Sequence, residues 1–288
     1  MLPTMQIPAP RRVMLAQPDS RGIGAAAPLL GVLGGMGPLA GVDFVAKLVR
    51  ATPATRDEDH IPVLLWSVPQ VPDRLAAMER RGDSPLPMLA DAVRRMAGCG
   101  VDRVAIACNT AHYWYDELVE AGGLPILHIA DAAAEAVAEA MTSSGSTVGQ
   151  AARNARVALL ATRGTHRAGF YAPRLAAAGY RVLPHDEDLQ RRCIDPAIEA
   201  VKAFRLDAAG ELIGAAIDAL ASSAACAARE GRDDEIIDCV LLGCTELPLA
   251  HAAMRRPDPL PVVDATQALA LACVRSWFGP ARDRPAAY

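Results

Sequence analysis

Two of the seven cysteines in this sequence stand where a thiol can do chemistry. Cys108 ends the apolar run VAIAC and is followed by Asn109, Thr110 and Ala111; Cys244 ends VLLGC and is followed by Thr245. In each case a buried type of strand gives way to a helix, which puts the sulphur at a strand's carboxyl end, where α/β proteins bind ligands. The free N–H groups and dipole of the helix start favour thiolate, so a lowered thiol pKa is expected at both places. A lone strand-end cysteine is more often a small core hydrophobe. Two of them at matching places can act on opposite faces of one tetrahedral carbon. A thiolate then removes a proton and a thiol returns one from the other side, which inverts a stereocentre. The Cα–H of an amino acid is a very weak acid, so the carbanion-like state needs a dry pocket and donors aimed at its carboxylate. Asn109, Thr110, Thr245 and backbone N–H groups at the helix starts are placed to supply them. Cys99, Cys193, Cys226, Cys239 and Cys273 fall at helical or mid-strand positions and read as packing residues.

The elements that position this pair follow from the periodicity. Short apolar runs alternate with Ala-rich helical stretches, the pattern of an α/β protein with parallel strands. Strands are predicted at 30–34, 61–67, 102–107, 125–129, 156–161, 180–183, 237–242 and 261–263. Helices are predicted at 38–51, 73–80, 85–99, 111–120, 131–142, 168–178, 187–202, 207–230, 246–253 and 265–277. The polar, Gly/Ser-rich stretch 143–155 is a natural junction. The halves on either side of it look alike: GVLGGMGP and VALLATRGT open them, and VAIACNTAH and VLLGCTELP close on the two cysteines. We expect two pseudo-symmetric domains, each a mostly parallel sheet flanked by helices, with the active site in the cleft between them. The first would comprise 29–130 plus 264–288, the second 131–263, and residues 1–28 a disordered leader.

Composition removes several classes of function. Net charge is −4, which gives no basic face for nucleic acid or anionic lipid. The cysteines are odd in number and contain no C-x-x-C pair, so neither a zinc site nor a disulfide framework is expected, and the compartment is read as reducing cytoplasm. No uncharged apolar run of 18 residues occurs, so no membrane-spanning helix is expected. GxGxxG and a P-loop lysine are both absent, so the glycines of GVLGGMGPLAG read as a tight turn that lets substrate approach the backbone. The chain has only two lysines, Lys47 and Lys202; Lys47 looks like an exposed helix residue. His112 either tunes Cys108 or packs, and the other histidines lack ligand spacing. Glu246 reads as a cap for the helix after Cys244, with a role in orienting a neighbour as the other possibility.

GVLGGMGPLA, SVPQVPDR, ACNTAH, LLATRGT and LLGCTELP together resemble the aspartate racemase branch of the aspartate/glutamate racemase superfamily, over roughly residues 29–277. The resemblance implies an acid/base pair at Cys108 and Cys244, no pyridoxal phosphate or other cofactor, no metal, and a homodimer. It assigns Arg74 to gripping a substrate carboxylate, a task suited to a bidentate guanidinium. Lys202 is assigned to the same class of substrate, and Met36, Gly37 and Gln70 to the cleft lining. Arg74 with Lys202 implies a second carboxylate on the substrate, hence aspartate. Thr162 and Thr165 are further candidates for substrate binding, but Arg163 stands where the family more often has a small polar residue. The alternatives are a glutamate or broad-specificity racemase, an isomerase or decarboxylase relative, or a ligand-binding protein without turnover.

Overall fold

A computed structural model of the chain describes residues 28–143, 155–184, 186–232 and 236–279. The proposed leader up to residue 27, and most of the junction at 143–155, lie outside the described residues. Among the described residues, eight strands form two four-stranded, all-parallel sheets. In the first, β1 (Leu30–Gly34), β2 (Val63–Ser67), β3 (Arg103–Ile106) and β4 (Ile126–Leu127) take the order β2-β1-β3-β4. In the second, β5 (Arg156–Ala161), β6 (Arg181–Val182), β7 (Cys239–Gly243) and β8 (Val262–Asp264) take the order β6-β5-β7-β8. The two sheets thus share one topology, and in each the strand order reverses between the first strand and the third. That reversal opens a crevice at the strand carboxyl ends. All five residues of β1 and of β7 are buried, as parallel strands covered on both faces require.

The helices are α1 (Pro38–Ala51), α2 (Arg74–Met78), α3 (Leu86–Gly98), α4 (Tyr115–Gly122) and α5 (Ile129–Ser143) in the first part of the chain. They continue with α6 (Arg163–Ala168), α7 (Tyr171–Ala177), α8 (Glu187–Leu189), α9 (Asp195–Lys202), α10 (Leu206–Arg229), α11 (Leu247–Ala253) and α12 (Ala265–Phe278). One apolar cluster runs from Leu30, Val32 and Phe44 through α5 and α12 to Val157, Tyr171 and Leu241, and so joins the two sheets. A second cluster on the flank of the first sheet contains Met36 and Cys108, and a third on the flank of the second sheet contains Cys244.

The structure departs from the sequence expectation in several places. Residues 125–129 are not one strand: Ile129 already opens α5, and its N–H is taken by His112 Nε2. The helix read over 168–178 is α7, Tyr171–Ala177, and ahead of it stands α6, Arg163–Ala168, which was not foreseen and ends at Gly169 with φ +69°. The stretch 187–202 contains a π-helical turn, Gln190–Ile194, ahead of Pro196, whose missing N–H interrupts the regular ladder. α10 is long and apolar enough to cross a membrane by length and composition, although Asp207, Glu211 and Asp218 interrupt its apolar residues. One of its faces, through Ala209, Ile213, Ala216 and Ile217, is packed in the core, and exposed Asp207, Glu211 and Asp218 line another. Lys47 is not an exposed lysine: it is 8% exposed and forms ion pairs with Asp43 (2.6 Å) and Asp264 (2.8 Å), joining α1 to the start of α12. Of the five cysteines read as packing residues, Cys99 is exposed at the end of α3.

Candidate active site

Each strand-end cysteine lies just past the third strand of its sheet, beside the point where the strand order reverses. The turn leaving β1 borders the first crevice. Gly35 there has φ +98°, and a Cβ would come within 2.3 Å of the Val68 backbone nitrogen, so only glycine allows this approach. Cys108 is buried, and its sulphur receives a hydrogen bond from the Ala111 N–H at the start of the 3₁₀ turn Thr110–Trp114. Cys244 is buried as well; its thiol donates to Glu246 Oε2 at 3.1 Å and its sulphur receives the Glu246 backbone N–H. The helix-start N–H groups expected from the sequence are therefore present at both sulphurs.

They do not prevail. Burial pushes the Cys108 thiol up, opposed by the Arg74 charge, the Ala111 N–H and Lys202. Burial pushes Cys244 well above its usual range, and the Glu246 carboxylate adds to that. The expectation of lowered thiol pKa values is thus corrected: one or two peptide dipoles do not offset removal from water. The two sulphurs also share surroundings, since the charges of Glu246 and Lys202 act on both.

Glu246 is the residue whose weight the sequence understated. It is 4% exposed, and its Oε1 accepts the Gly37 N–H at 3.0 Å. Its Oε2 accepts both the Cys244 thiol and the Thr245 hydroxyl, the latter at 3.2 Å. One carboxylate therefore joins the turn after β1 in the first half to the cysteine of the second. Its spacing, two residues after Cys244 at a helix start, was the only available signal, and it pointed first to a simple cap, which the side chain does not make.

A cavity of about 290 Å³ opens between the halves, lined by Asp73, Arg74, Thr110, Thr162, Arg163, Asp195 and Lys202 among others. Arg74 begins α2, and Asp73 caps that helix by accepting the Ala76 N–H at 2.6 Å. Arg74 Nη1 donates to the Val71 and Pro72 carbonyls at 3.3 and 3.1 Å. Lys202 is exposed at the end of α9. Among the described residues neither cation has a carboxylate partner. Arg163 does: its Nε pairs with Asp195 and its Nη1 with Glu187, both at 2.7 Å, so its charge is already matched. Thr110, Thr162 and Thr165 bond one another at 2.8–3.1 Å across the two halves. Gly164 lets them meet, since a Cβ there would lie 2.6 Å from Thr110 Cγ2. These threonines are occupied in tying the halves together.

Lys202 also lines a smaller cavity, about 170 Å³, with Gly37, Pro38, Leu39, Phe204 and Glu246. Met36 is buried in the cluster that holds Cys108, whereas Gln70 is exposed on the turn before α2 and lines neither cavity. Thr245 and Asn109 are both buried; Asn109 Oδ1 accepts a hydrogen bond from Tyr171. His112 proves to be a brace. Its Nε2 accepts the Ile129 N–H, so the proton sits on Nδ1 and is donated to the Cys108 carbonyl at 2.9 Å. Burial lowers its pKa to about 4, which keeps it neutral.

The family model for Asp/Glu/Hydantoin racemases matches residues 33–273. This chain belongs to that racemase family. Its fold matches that of the aspartate racemase of Picrophilus torridus with a TM-score of 0.65, at 28% sequence identity, over 88% of this chain and 95% of the other. Glutamate racemase from Bacillus anthracis shares the fold with a TM-score of 0.54 at 17% identity, over 89% of this chain and 85% of that one. A broad-specificity amino-acid racemase of Bacillus subtilis is 30% identical over 107 residues, 36% of this chain. That match spans 46% of the curated relative's length. Cys108, Cys244, Arg74, Lys202 and Glu246 all lie inside the span matched by the racemase family.

Proposed function

We propose that the protein interconverts L- and D-aspartate by proton transfer at Cα between Cys108 and Cys244. The observation that carries this reading is the pairing of the thiols: each is buried at the crevice of its own sheet, and both sense Lys202 and Glu246. Arg74 and Lys202 on the adjoining cleft lack carboxylate partners among the described residues and would take the two carboxylates of the substrate. The thiols are not equivalent. Arg74 and Lys202 both draw Cys108 toward thiolate, whereas Glu246 holds a proton on Cys244. Burial raises both thiols, Cys244 the more, so Cys108 gives up its proton the more readily and serves first as base with Cys244 as acid, the roles exchanging for the other enantiomer.

A broader substrate range is the second reading. The smaller cavity beside Glu246 has apolar walls at Pro38, Leu39, Ala40, Val201 and Phe204, which would accept a neutral side chain. The likeness to a broad-specificity racemase supports it. By family likeness we also expect a homodimer, and from the pattern of cysteines a cytoplasmic location; light scattering tests the first and fractionation the second.

Incubation with L-aspartate in deuterated water, without pyridoxal phosphate, is expected to yield D-aspartate deuterated at Cα. Cys108→Ala and Cys244→Ala should each abolish it, and retention of inversion by both would overturn the two-thiol mechanism. Arg74→Ala and Lys202→Ala should each raise KM for aspartate about tenfold or more, the worth of a hydrogen bond to a charged group. An amino-acid panel that favours neutral side chains would replace the first reading with the second.

A further inference from the structure

The segment around Tyr171, GFYAPRL, carries no sign of chemistry in the sequence. Yet Tyr171 is 1% exposed, and its hydroxyl reaches from α7 in the second half to donate a 2.5 Å hydrogen bond to Asn109 Oδ1 in the first. Asn109 directly follows Cys108 and is itself 2% exposed. A primary amide has two ends of almost equal shape, one accepting and one donating, and its surroundings decide which way it lies. With Oδ1 on the phenol, the phenolic proton and the carbonyl satisfy each other. Turned over, the amide would give its Nδ2 to the phenol oxygen and leave both Oδ1 and the phenolic proton buried without a bond. Burial, with the charges of Cys244 and Asp264, pushes the phenol well above its ordinary range, so Tyr171 remains a hydroxyl donor. Asn109 Nδ2 is then left buried with no hydrogen-bond partner. A fixed, unsatisfied donor one residue from Cys108 is complementary to an anion.

We propose that Tyr171 is a positioning residue: its hydroxyl locks the Asn109 carboxamide so that Nδ2 is presented to the carboxylate on the carbon being deprotonated. Arg74 and Lys202 supply charge to the two carboxylates, and the Asn109 amide adds a fixed neutral donor to the one on the reacting carbon. The proposal deepens the racemase reading and rests on it for the identity of the anion. The orientation itself depends only on the protein.

Tyr171→Phe removes the hydroxyl and keeps the ring in the core. It should raise KM for L-aspartate about tenfold, within the range for a hydrogen bond to a charged partner. Asn109→Ala should do at least as much. The double variant should be no worse than Asn109→Ala alone, because Tyr171 acts only through Asn109. Multiplying effects would refute the proposal, since a merely structural tyrosine costs the same in either background. A second measurement needs no turnover. The side-chain amide proton pair of Asn109, identified in the ¹H–¹⁵N spectrum by its loss in Asn109→Ala, should shift and exchange faster with solvent in Tyr171→Phe. An unmoved pair would overturn the assignment. If the wild-type protein leaves aspartate unchanged, the substrate reading falls and the amide spectrum alone decides the role of Tyr171.

Discussion

Replacing Glu246 with glutamine keeps the shape of the side chain and removes its charge and one of its two acceptor oxygens. Three donors now converge on that carboxylate: the Gly37 N–H on Oε1, and the Cys244 thiol and Thr245 hydroxyl on Oε2. A glutamine carbonyl that stays on Gly37 turns its own N–H₂ toward two groups that also donate. Hydrogen bonds to a charged group contribute about 1.5–3 kcal/mol each, and the thiol is a weak donor, so roughly 2 kcal/mol is a fair loss for the arrangement at Cys244. If that loss falls on the transition state, kcat/KM drops about thirtyfold. The enantiomers are equal in free energy, so kcat/KM must fall equally for L- and D-aspartate. The pH profile carries the more specific signature. The Glu246 charge raises both thiols, so its removal should move the limb that reports thiolate formation to lower pH. The assay is initial rates from each enantiomer, by circular dichroism, from pH 6 to 10. Rates within twofold of wild type with both limbs in place would refute the role given to Glu246.

Lys47→Met should destabilise the fold by about 3–5 kcal/mol, because it leaves Asp43 and Asp264 without their buried cation; urea titration measures this. His112 takes up a proton near pH 6.5 when unfolded and near 4 when folded, so the unfolded state binds more protons in between. Its contribution is full above pH 6.5 and is lost as pH falls through 4, by about 3 kcal/mol in all. His112→Gln should therefore flatten the decline of Tm between pH 7 and 4.5; an unchanged slope would count against a neutral His112. Iodoacetamide at pH 8 should label exposed Cys99 well before buried Cys108 or Cys244, as peptide mass mapping would show, and prior loss of Cys108 would contradict its burial.

The two-sheet fold was legible because its signals are local. Runs such as LGVLG and CVLLG must be covered on both faces, and each led into a turn whose residue types were visible. Matching cysteine contexts in the two halves pointed to one crevice for the same reason. Boundaries failed where a distant group satisfied the backbone, as at Ile129, whose N–H is met by His112. Lys47 was misread because helical position says nothing about Asp264, more than two hundred residues away, which pairs with it. Tyr171 and the full role of Glu246 were out of reach on the same ground: each acts by contact between halves, and no spacing within one half encodes it.

The repeated architecture also explains why the site is asymmetric. Duplicated topology places two sulphurs at equivalent strand ends, and the helix-start N–H groups at each are nearly alike. A two-sided proton transfer cannot run from two equal states, since one group must hold the proton that the other lacks. The backbone is common to both halves, so the difference has to come from side chains that break the repeat. Arg74 does this beside Cys108, and Glu246 does it beside Cys244. Glu246 reaches into the first half, to Gly37, and so sets the charge at Cys244 and the closure of the two halves by the same bonds. Parting the halves enough to admit substrate would stretch the Gly37 bond and loosen the acceptor of the Cys244 proton at once. Entry of substrate and readiness of the acid are on this reading one event, and a Glu246→Gln enzyme, which keeps the Gly37 bond and loses the acceptor of the Cys244 proton, should bind substrate as wild type does while inversion is slower.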